Sequence, residues 1–124
     1  MAYLIAALAL GIALQLPAVG KVPVLAVLWP TYIHVLVVGW LTQLIFGVAF
    51  WMFPKHSQAR PRGSEPLGWA SFALLNGGLL LRMVAEPWRA LGGPAGSLLV
   101  ISAGAQLLAG WAFVINTWPR TRER

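Results

Sequence analysis

Residues 30–54, PTYIHVLVVGWLTQLIFGVAFWMFP, form an almost continuous apolar segment, long enough to cross a bilayer as a single helix. This segment contains one histidine, His34, about one helical turn from its start. An ionisable side chain is costly inside a membrane and usually faces protein, water or a ligand. The main question that this sequence raises is therefore what His34 binds.

The composition of the whole chain is that of an integral membrane protein. Of its 124 residues, 59% are hydrophobic and 10% are charged, whereas a soluble domain has about 25% charged residues. The chain has no cysteine, which excludes disulfides, thiolate metal sites, iron–sulfur clusters and covalently attached c-type haem. The net charge of +6 does not indicate nucleic-acid binding, because the basic residues lie beside hydrophobic segments, where they set membrane topology.

Four apolar segments predict an all-α fold with four transmembrane helices in a single domain, residues 1–124. Prolines and glycines separate the segments, and Pro54, Pro87 and Pro119 are expected to end the last three helices. Residues 21–30, with Pro30 at their end, are expected to form an interfacial connector. No basic residue precedes the first segment, so it is interpreted as a retained span rather than a signal peptide. The predicted spans are residues 2–16, 31–53, 67–85 and 97–117.

The basic residues predict that both termini and the middle loop are cytoplasmic. Six basic residues follow the second or the fourth span: Lys55, Arg60, Arg62, Arg120, Arg122 and Arg124. Three belong to the opposite side: Lys21, Arg82 and Arg89. An excess of Lys and Arg marks the cytoplasmic side of a membrane protein.

The second span carries polar residues on two predicted faces. At 100° per residue, Tyr32 and Gln43 fall on the side of the helix opposite His34. Gly39 and Gly47 flank Gln43, and small residues permit close helix packing across which a glutamine can form a hydrogen bond. The second span is therefore expected to lie between two neighbouring helices.

Arg82, near the end of the third span, is expected at the same membrane depth as His34. Glu86 follows Arg82 by four residues and is placed to pair with it. Two interpretations remain open. Arg82 and Glu86 form a purely structural ion pair, or Arg82 binds an acidic group that lies near His34. His34 itself has two interpretations, a hydrogen bond to a neighbouring carbonyl in the interface or a metal ligand. His56 lies about 33 Å further along, at the other membrane surface, and is no partner for it within one subunit.

Two stretches of the sequence resemble a known family. The segment YIHVLVVGWLTQLIFGVAFWMFP, residues 32–54, resembles the tenth helix of haem–copper oxidase subunit I and of the related nitric oxide reductases. The segment LGWASFALLNGGLLLRMVAEPW, residues 67–88, resembles the helix that follows it, which ends with an arginine near the haem propionates. The resemblance covers about residues 30–88.

The resemblance implies a b-type haem site. His34 matches the second histidine of the family's motif, the axial ligand of the low-spin haem, and is thus the implied metal ligand. Arg82, with Arg89, corresponds to a propionate-binding position, and Tyr32 stands where the ligand of the high-spin haem would be. Because that histidine is missing and no copper ligands are present, the resemblance implies haem b without copper and without an oxygen-reducing centre.

The resemblance also implies an assembly and a location. The family fold is built as three four-helix arcs around a pseudo-threefold axis, so a homotrimer of this chain would form a similar ring, by analogy with that fold. A haem shared between two copies of His34 would instead favour a dimer with twofold symmetry. The membrane implied is the inner or plasma membrane of a prokaryote, and nothing in the sequence identifies a redox partner.

Three functional hypotheses follow from the sequence. The first is a haem protein for electron transfer or small-gas binding. The second is a cofactor-free scaffold or accessory subunit, in which His34, Gln43, Asn76 and Gln106 form hydrogen bonds between helices. The third is a small transporter, which is disfavoured because its acidic residues lie near or beyond the span ends. No catalytic residue is predicted, since no nucleophile–base pair, paired carboxylates or phosphate-binding loop is present.

Overall fold

A computed structural model describes residues 1–16, 27–53 and 63–122, and the regular structure of these residues is entirely helical. Helix α1 spans Ala2–Gln15, α2 spans Trp29–Met52, α3 spans Glu65–Ala90 and α4 spans Gly96–Arg122. In this part of the chain, α2, α3 and α4 are long and apolar enough to cross a membrane. The 14 residues of α1 extend over about 21 Å, less than the roughly 30 Å of a hydrocarbon core. The fold is that of a helical membrane protein, and a fourth span remains a prediction.

Prolines do not end the helices where the sequence analysis expects them to. Pro30 lies in the first turn of α2 rather than in a connector, a position where its missing N–H leaves no hydrogen bond unmade. Pro87 and Pro119 lie inside α3 and α4. Beyond Pro87 the helix is continued by the N–H of Leu91, which donates to the Pro87 carbonyl at 3.1 Å. The prediction for Pro54 falls outside the described residues.

Helices α3 and α4 form an antiparallel pair, held together by small residues at seven-residue spacing. Ser71 donates a hydrogen bond to the carbonyl of Ala109 at 2.8 Å, and Ser102 donates to the carbonyl of Gly78 at 2.7 Å. One further contact continues this seven-residue spacing at the start of α3. There the backbone N–H of Ser64 donates to Asn116 Oδ1 at 2.8 Å. Small residues let two backbones approach closely, so this pair is the most extensive packing contact of the fold.

Helix α1 packs antiparallel on the first half of α2. A Cβ added to Gly39 of α2 would lie 2.9 Å from Tyr3 Cγ, and one added to Gly11 of α1 would lie 3.0 Å from the ring of Tyr32. The Gly39 position would also lie 2.8 Å from a methyl group of Leu79 on α3. As expected from the sequence, α2 therefore lies between two neighbours.

Residues Val35–Thr42 of α2 form a π-helix rather than an α-helix. The Thr42 hydroxyl donates to the carbonyl of Val37, five residues earlier, at 2.9 Å. At roughly 4.4 residues per turn in a π-helix, the steps from His34 to Gln43 complete about two turns instead of the two and a half of an α-helix. Both side chains consequently face α3, and the expectation that they lie on opposite sides of the helix is wrong.

Arg120 joins the end of α4 to the end of α2. Its guanidinium donates to the carbonyl of Phe50 at 3.1 Å and to that of Phe53 at 2.6 Å, and the side chain is buried at 4% exposure. The Phe50 carbonyl belongs to the last turn of α2 and the Phe53 carbonyl follows directly after that helix, so neither has a partner within it. Arg120 is thus an interhelical tie as well as one of the basic residues that predict topology.

The outer surface of the described helices is apolar. Exposed large side chains include Ile45, Leu80, Val100 and Leu107, and the two most exposed tryptophans lie near helix ends, Trp51 at 76% and Trp69 at 72% exposure. Lipid tails can solvate such a surface, and tryptophan is enriched where a membrane meets water. This distribution fits three membrane-spanning helices.

Candidate functional site between the start of α2 and the end of α3

A polar cluster of four side chains lies where α2 begins and α3 ends, and Glu86 is at its centre. Glu86 Oε1 accepts a hydrogen bond from Arg82 Nε at 2.8 Å and lies 3.2 Å from His34 Nδ1. The other oxygen, Oε2, accepts from the hydroxyl of Thr31 at 2.9 Å. The Glu86 side chain is 10% exposed, so its charge is held away from solvent and is balanced by Arg82.

The antiparallel packing of α2 on α3 forms this cluster. Thr31 and His34 lie in the first turns of α2, and Arg82 and Glu86 are one turn apart near the end of α3. Residues four apart on a helix share a face, so Arg82 and Glu86 present their side chains to α2 together. His34 and Arg82 lie at the same level of the helix pair, since both contact Glu86, and their depth in a membrane stays a prediction.

The two ring nitrogens of His34 have different environments. Nδ1 lies 2.8 Å from the carbonyl of Pro30, four residues earlier, as well as 3.2 Å from Glu86 Oε1. Both neighbours are acceptors, so the proton of a neutral imidazole belongs on Nδ1 and the lone pair on Nε2. Within the described residues Nε2 has no hydrogen-bond partner, and the side chain is 28% exposed. Nε2 is therefore available to a ligand or a metal.

The other two predicted site residues do not join the cluster. The ring of Tyr32 packs against Gly11 of α1 and lies 5.4 Å from the ring of Trp29, centroid to centroid. Arg89 is exposed at the end of α3, beside Gly96 at the start of α4. In the described part of the chain, no hydrogen bond or ion pair connects either residue to His34 or Arg82.

Glu86 and Thr31 are the members of the cluster that the site prediction leaves out. The spacing of Glu86 from Arg82 gives a sequence signal for their pairing, but its contact with His34 depends on how two helices pack. Thr31 gives no comparable signal, because a threonine at a helix start is common for other reasons. Its burial, at 4% exposure, and its bond to Glu86 emerge in the folded chain.

The cluster offers one imidazole rather than a multidentate metal site. Among residues 1–16, 27–53 and 63–122, no three His, Cys, Asp or Glu side chains are grouped so as to hold a metal ion. A metal bound here through His34 would need its remaining ligands from elsewhere, as the iron of a haem does from the porphyrin.

Comparison of the chain with family models, with curated proteins and with solved structures finds no match.

Proposed function

We propose that the chain is a membrane-bound b-type haem protein in which His34 Nε2 is an axial ligand of the iron. The observation that carries this proposal is the fixing of Nδ1 by the Pro30 carbonyl and by Glu86. Histidines that bind metals almost always donate their other N–H to a carbonyl or carboxylate, which fixes the tautomer and orients the ring.

The neighbouring residues fit the propionate groups of a haem. Arg82 uses Nε to bind Glu86, and its two terminal nitrogens have no hydrogen bond among the described residues. The Arg82 side chain is 21% exposed, which leaves it accessible from the side of the cluster. Because Glu86 binds at Nε, the two terminal nitrogens at the outer edge of the guanidinium keep the fork geometry that a carboxylate can bind. Arg89 and Tyr32 are weaker candidates, since neither contacts the cluster.

When bound, a haem with this ligation would supply one-electron transfer or reversible binding of a small gas. Each chain contributes His34 as one ligand, so a second protein ligand would come from another copy or the sixth position would stay open. The resemblance to a subunit of three four-helix arcs favours a homotrimer with four spans per chain, and a shared haem favours a dimer. The basic residues support cytoplasmic termini, and the resemblance supports a prokaryotic inner or plasma membrane.

A cofactor-free scaffold is the second candidate, favoured by the pairing of polar groups between helices. Asn76 Oδ1 accepts hydrogen bonds from Tyr3 of α1 at 2.8 Å and from Gln43 of α2 at 2.9 Å. Gln106 differs, since its amide lies 3.5 Å from the hydroxyl of Ser102 on its own helix. In this candidate function, His34 and Glu86 are a further interhelical contact.

An absorption spectrum of the detergent-purified protein separates the two candidates. The protein is expressed with added haem precursor and recorded oxidised and dithionite-reduced, beside His34→Ala and the control Tyr32→Phe. A Soret band with sharp reduced α and β bands, lost in His34→Ala and kept in Tyr32→Phe, is the expected result. Absence of a Soret band from the wild-type protein would leave the scaffold as the better explanation.

A further inference from the structure

Gln106 is a polar side chain near the middle of α4 whose hydrogen-bonding groups are mostly unused. It lies about 5 Å along the helix from the midpoint of Gly96–Arg122, and therefore within the hydrocarbon core when α4 spans a bilayer. Its amide nitrogen Nε2 is 3.5 Å from the hydroxyl of Ser102, which itself donates to the carbonyl of Gly78. In the described part of the chain, Oε1 of Gln106 accepts no hydrogen bond.

The amide of Gln106 can be reached from outside the chain. Among residues 1–16, 27–53 and 63–122, Asn116 Nδ2 is the one fully enclosed side-chain nitrogen or oxygen without a partner. Gln106 Oε1 also lacks a partner there, so it is accessible at the surface. The stem of the same side chain packs on α3, since a Cβ added to Gly78 would lie 3.0 Å from Gln106 Cγ. Gln106 is thus held at its stem and open at its amide.

Gln106 lines a groove between α2 and α4. The groove is bordered by Phe46 of α2 and by residues of α4 that include Leu107, Gly110 and Val114. Leu107 is 63% and Val114 44% exposed, so the groove opens to the lipid-facing surface. Apart from Gln106, the side chains that line it are aliphatic or aromatic. Lipid chains would fill such a groove but would leave the amide without a hydrogen bond, which is costly in an apolar medium.

Gly110 allows a second helix to approach this groove closely. A Cβ added at Gly110 would meet no atom within 4 Å, so packing inside the chain does not require a glycine there, although glycine weakens a helix relative to alanine. Small residues on a membrane helix let another helix pack at short distance. Gly110 follows Gln106 by four residues and shares its side of α4. A helix packed on Gly110 would therefore lie beside the Gln106 amide.

We propose that this groove is a contact between two copies of the chain, related by a twofold axis along the membrane normal, in which the two Gln106 amides bind each other. Rotation about that axis keeps each residue at its own depth, so the same residues of both copies meet at the contact. A primary amide both donates and accepts hydrogen bonds, so two copies of Gln106 satisfy each other without a further polar group. A lipid chain offers no such partner. The contact is independent of haem binding at His34.

Cysteine cross-linking in the membrane tests the geometry, because the chain has no cysteine of its own. Gly110→Cys should form a disulfide-linked dimer when membranes are oxidised with copper phenanthroline, since a disulfide requires Cβ atoms about 4 Å apart. Gly104→Cys is the matched control. Gly104 is equally free of contacts inside the chain, so neither cysteine disturbs the fold, but it lies about 120° around α4 from Gly110 and outside the groove. A Gly110→Cys yield no higher than that of Gly104→Cys would overturn the proposal.

Energy transfer between labelled copies in phosphatidylcholine vesicles measures the strength of the contact. The label is attached to Leu91→Cys, at the end of α3, where the side chain is 62% exposed. Gln106→Met keeps the length of the side chain and its packing on Gly78 but removes the amide. We expect its association to be about five- to thirtyfold weaker, the loss that corresponds to two hydrogen bonds between membrane helices. Gly110→Leu, which fills the groove, should weaken association at least tenfold.

Two controls separate this contact from general effects on the fold. Gln43→Met removes an amide that binds Asn76 within the chain, and Gly104→Leu adds the same side chain outside the groove. Both should leave association within twofold of the wild type, and circular dichroism checks that every variant is folded. Association of Gln106→Met equal to that of the wild type would overturn the proposal. Absence of energy transfer between wild-type copies would also overturn it and would leave the groove to lipid or to a different protein.

Discussion

His34 and Gln43 both bind side chains of α3, although their spacing on α2 would place them on opposite sides of an α-helix. His34 contacts Glu86 at 3.2 Å, and Gln43 donates to Asn76 Oδ1 at 2.9 Å. The π-helix Val35–Thr42 rotates the second contact onto the same face as the first. One helix surface of α2 therefore carries both the candidate ligand and a hydrogen bond that holds the helices together.

The Asn76 side chain should contribute more to the free energy of unfolding than either of the side chains that donate a hydrogen bond to it. We expect Tyr3→Phe to lower the free energy of unfolding by about 0.6 kcal/mol, the average for a hydrogen bond in a membrane protein. Asn76→Leu should cost about 1–2 kcal/mol, because it leaves both the Tyr3 hydroxyl and the Gln43 amide unpaired. Unfolding titrations with SDS in mixed micelles measure both. Tyr32→Phe is the control, since the Tyr32 hydroxyl has no hydrogen bond in the described structure, and a cost equal to that of Tyr3→Phe would contradict the assignment.

If His34 binds haem, Glu86 should act as its orienting partner. Glu86→Gln keeps the shape but weakens the acceptor beside Nδ1, and loss of such a partner typically lowers metal affinity by 10–100-fold. Haem titration of the apoprotein, followed at the Soret band, measures the change. The reduction potential of the bound haem should also rise, because a less negative partner makes the imidazole a poorer electron donor. An unchanged affinity and potential would mean that Glu86 serves packing alone.

Arg82 and Arg89 should differ in their effect on haem binding. Arg82 belongs to the cluster and has two free terminal nitrogens within the described structure, whereas Arg89 is exposed and lies apart from it. We expect Arg82→Gln to weaken haem binding about tenfold through loss of a propionate contact. Arg89→Gln, the matched control, should change it less than twofold in the same titration. Similar losses in both variants would point to general electrostatic attraction instead of a specific contact.

Arg120 should contribute to stability through the two carbonyls that it binds at the end of α2. Arg120→Leu is expected to cost about 2–3 kcal/mol, since it removes charged hydrogen bonds and leaves the Phe50 and Phe53 carbonyls unpaired. Arg120→Lys should recover only part of this loss. Its ammonium group can still donate hydrogen bonds, but it cannot reach both acceptors with the planar geometry of a guanidinium. Thermal unfolding in detergent, compared with Arg89→Leu as an exposed arginine control, tests this expectation. Equal melting temperatures for Arg120→Leu and Arg89→Leu would refute it.

Neighbouring glycines of α3 should respond differently to the same substitution. A Cβ at Gly78 would lie 3.0 Å from both the Ser102 carbonyl and Gln106 Cγ, whereas one at Gly77 would meet nothing within 4 Å. Gly78→Val should therefore push α4 away, break the hydrogen bond from Ser102 and cost about 1–3 kcal/mol. Gly77→Val should be close to neutral. The pair can be compared by SDS unfolding, and equal stability of the two variants would mean that α3 and α4 do not pack as closely as described.

The sequence by itself determined where the three long helices form and which types of residue allow them to pack. Apolar segments of sufficient length, interrupted by glycines and polar turns, place α2, α3 and α4 because backbone groups in a bilayer must be satisfied within the helix. The pairing of Arg82 with Glu86 follows from their four-residue spacing. Small residues recur every seventh position in Ser71, Gly78 and Ala85, which is a readable signal for the α3–α4 contact that the sequence analysis did not use.

The tertiary structure decided which side chains meet across helices. A helical wheel assumes a constant angle per residue, and the π-helix in α2 breaks that assumption. The contact of Gln43 with Asn76 on the same face as His34 could therefore not be derived from sequence spacing. The burial of Arg120 depends in the same way on a neighbouring helix, whose Phe50 and Phe53 carbonyls accept its hydrogen bonds. Local sequence sets helix propensity and polarity, whereas helix rotation and interhelical distance result from packing of all the helices together. The partners of His34, and the groove beside Gln106, are consequences of that packing.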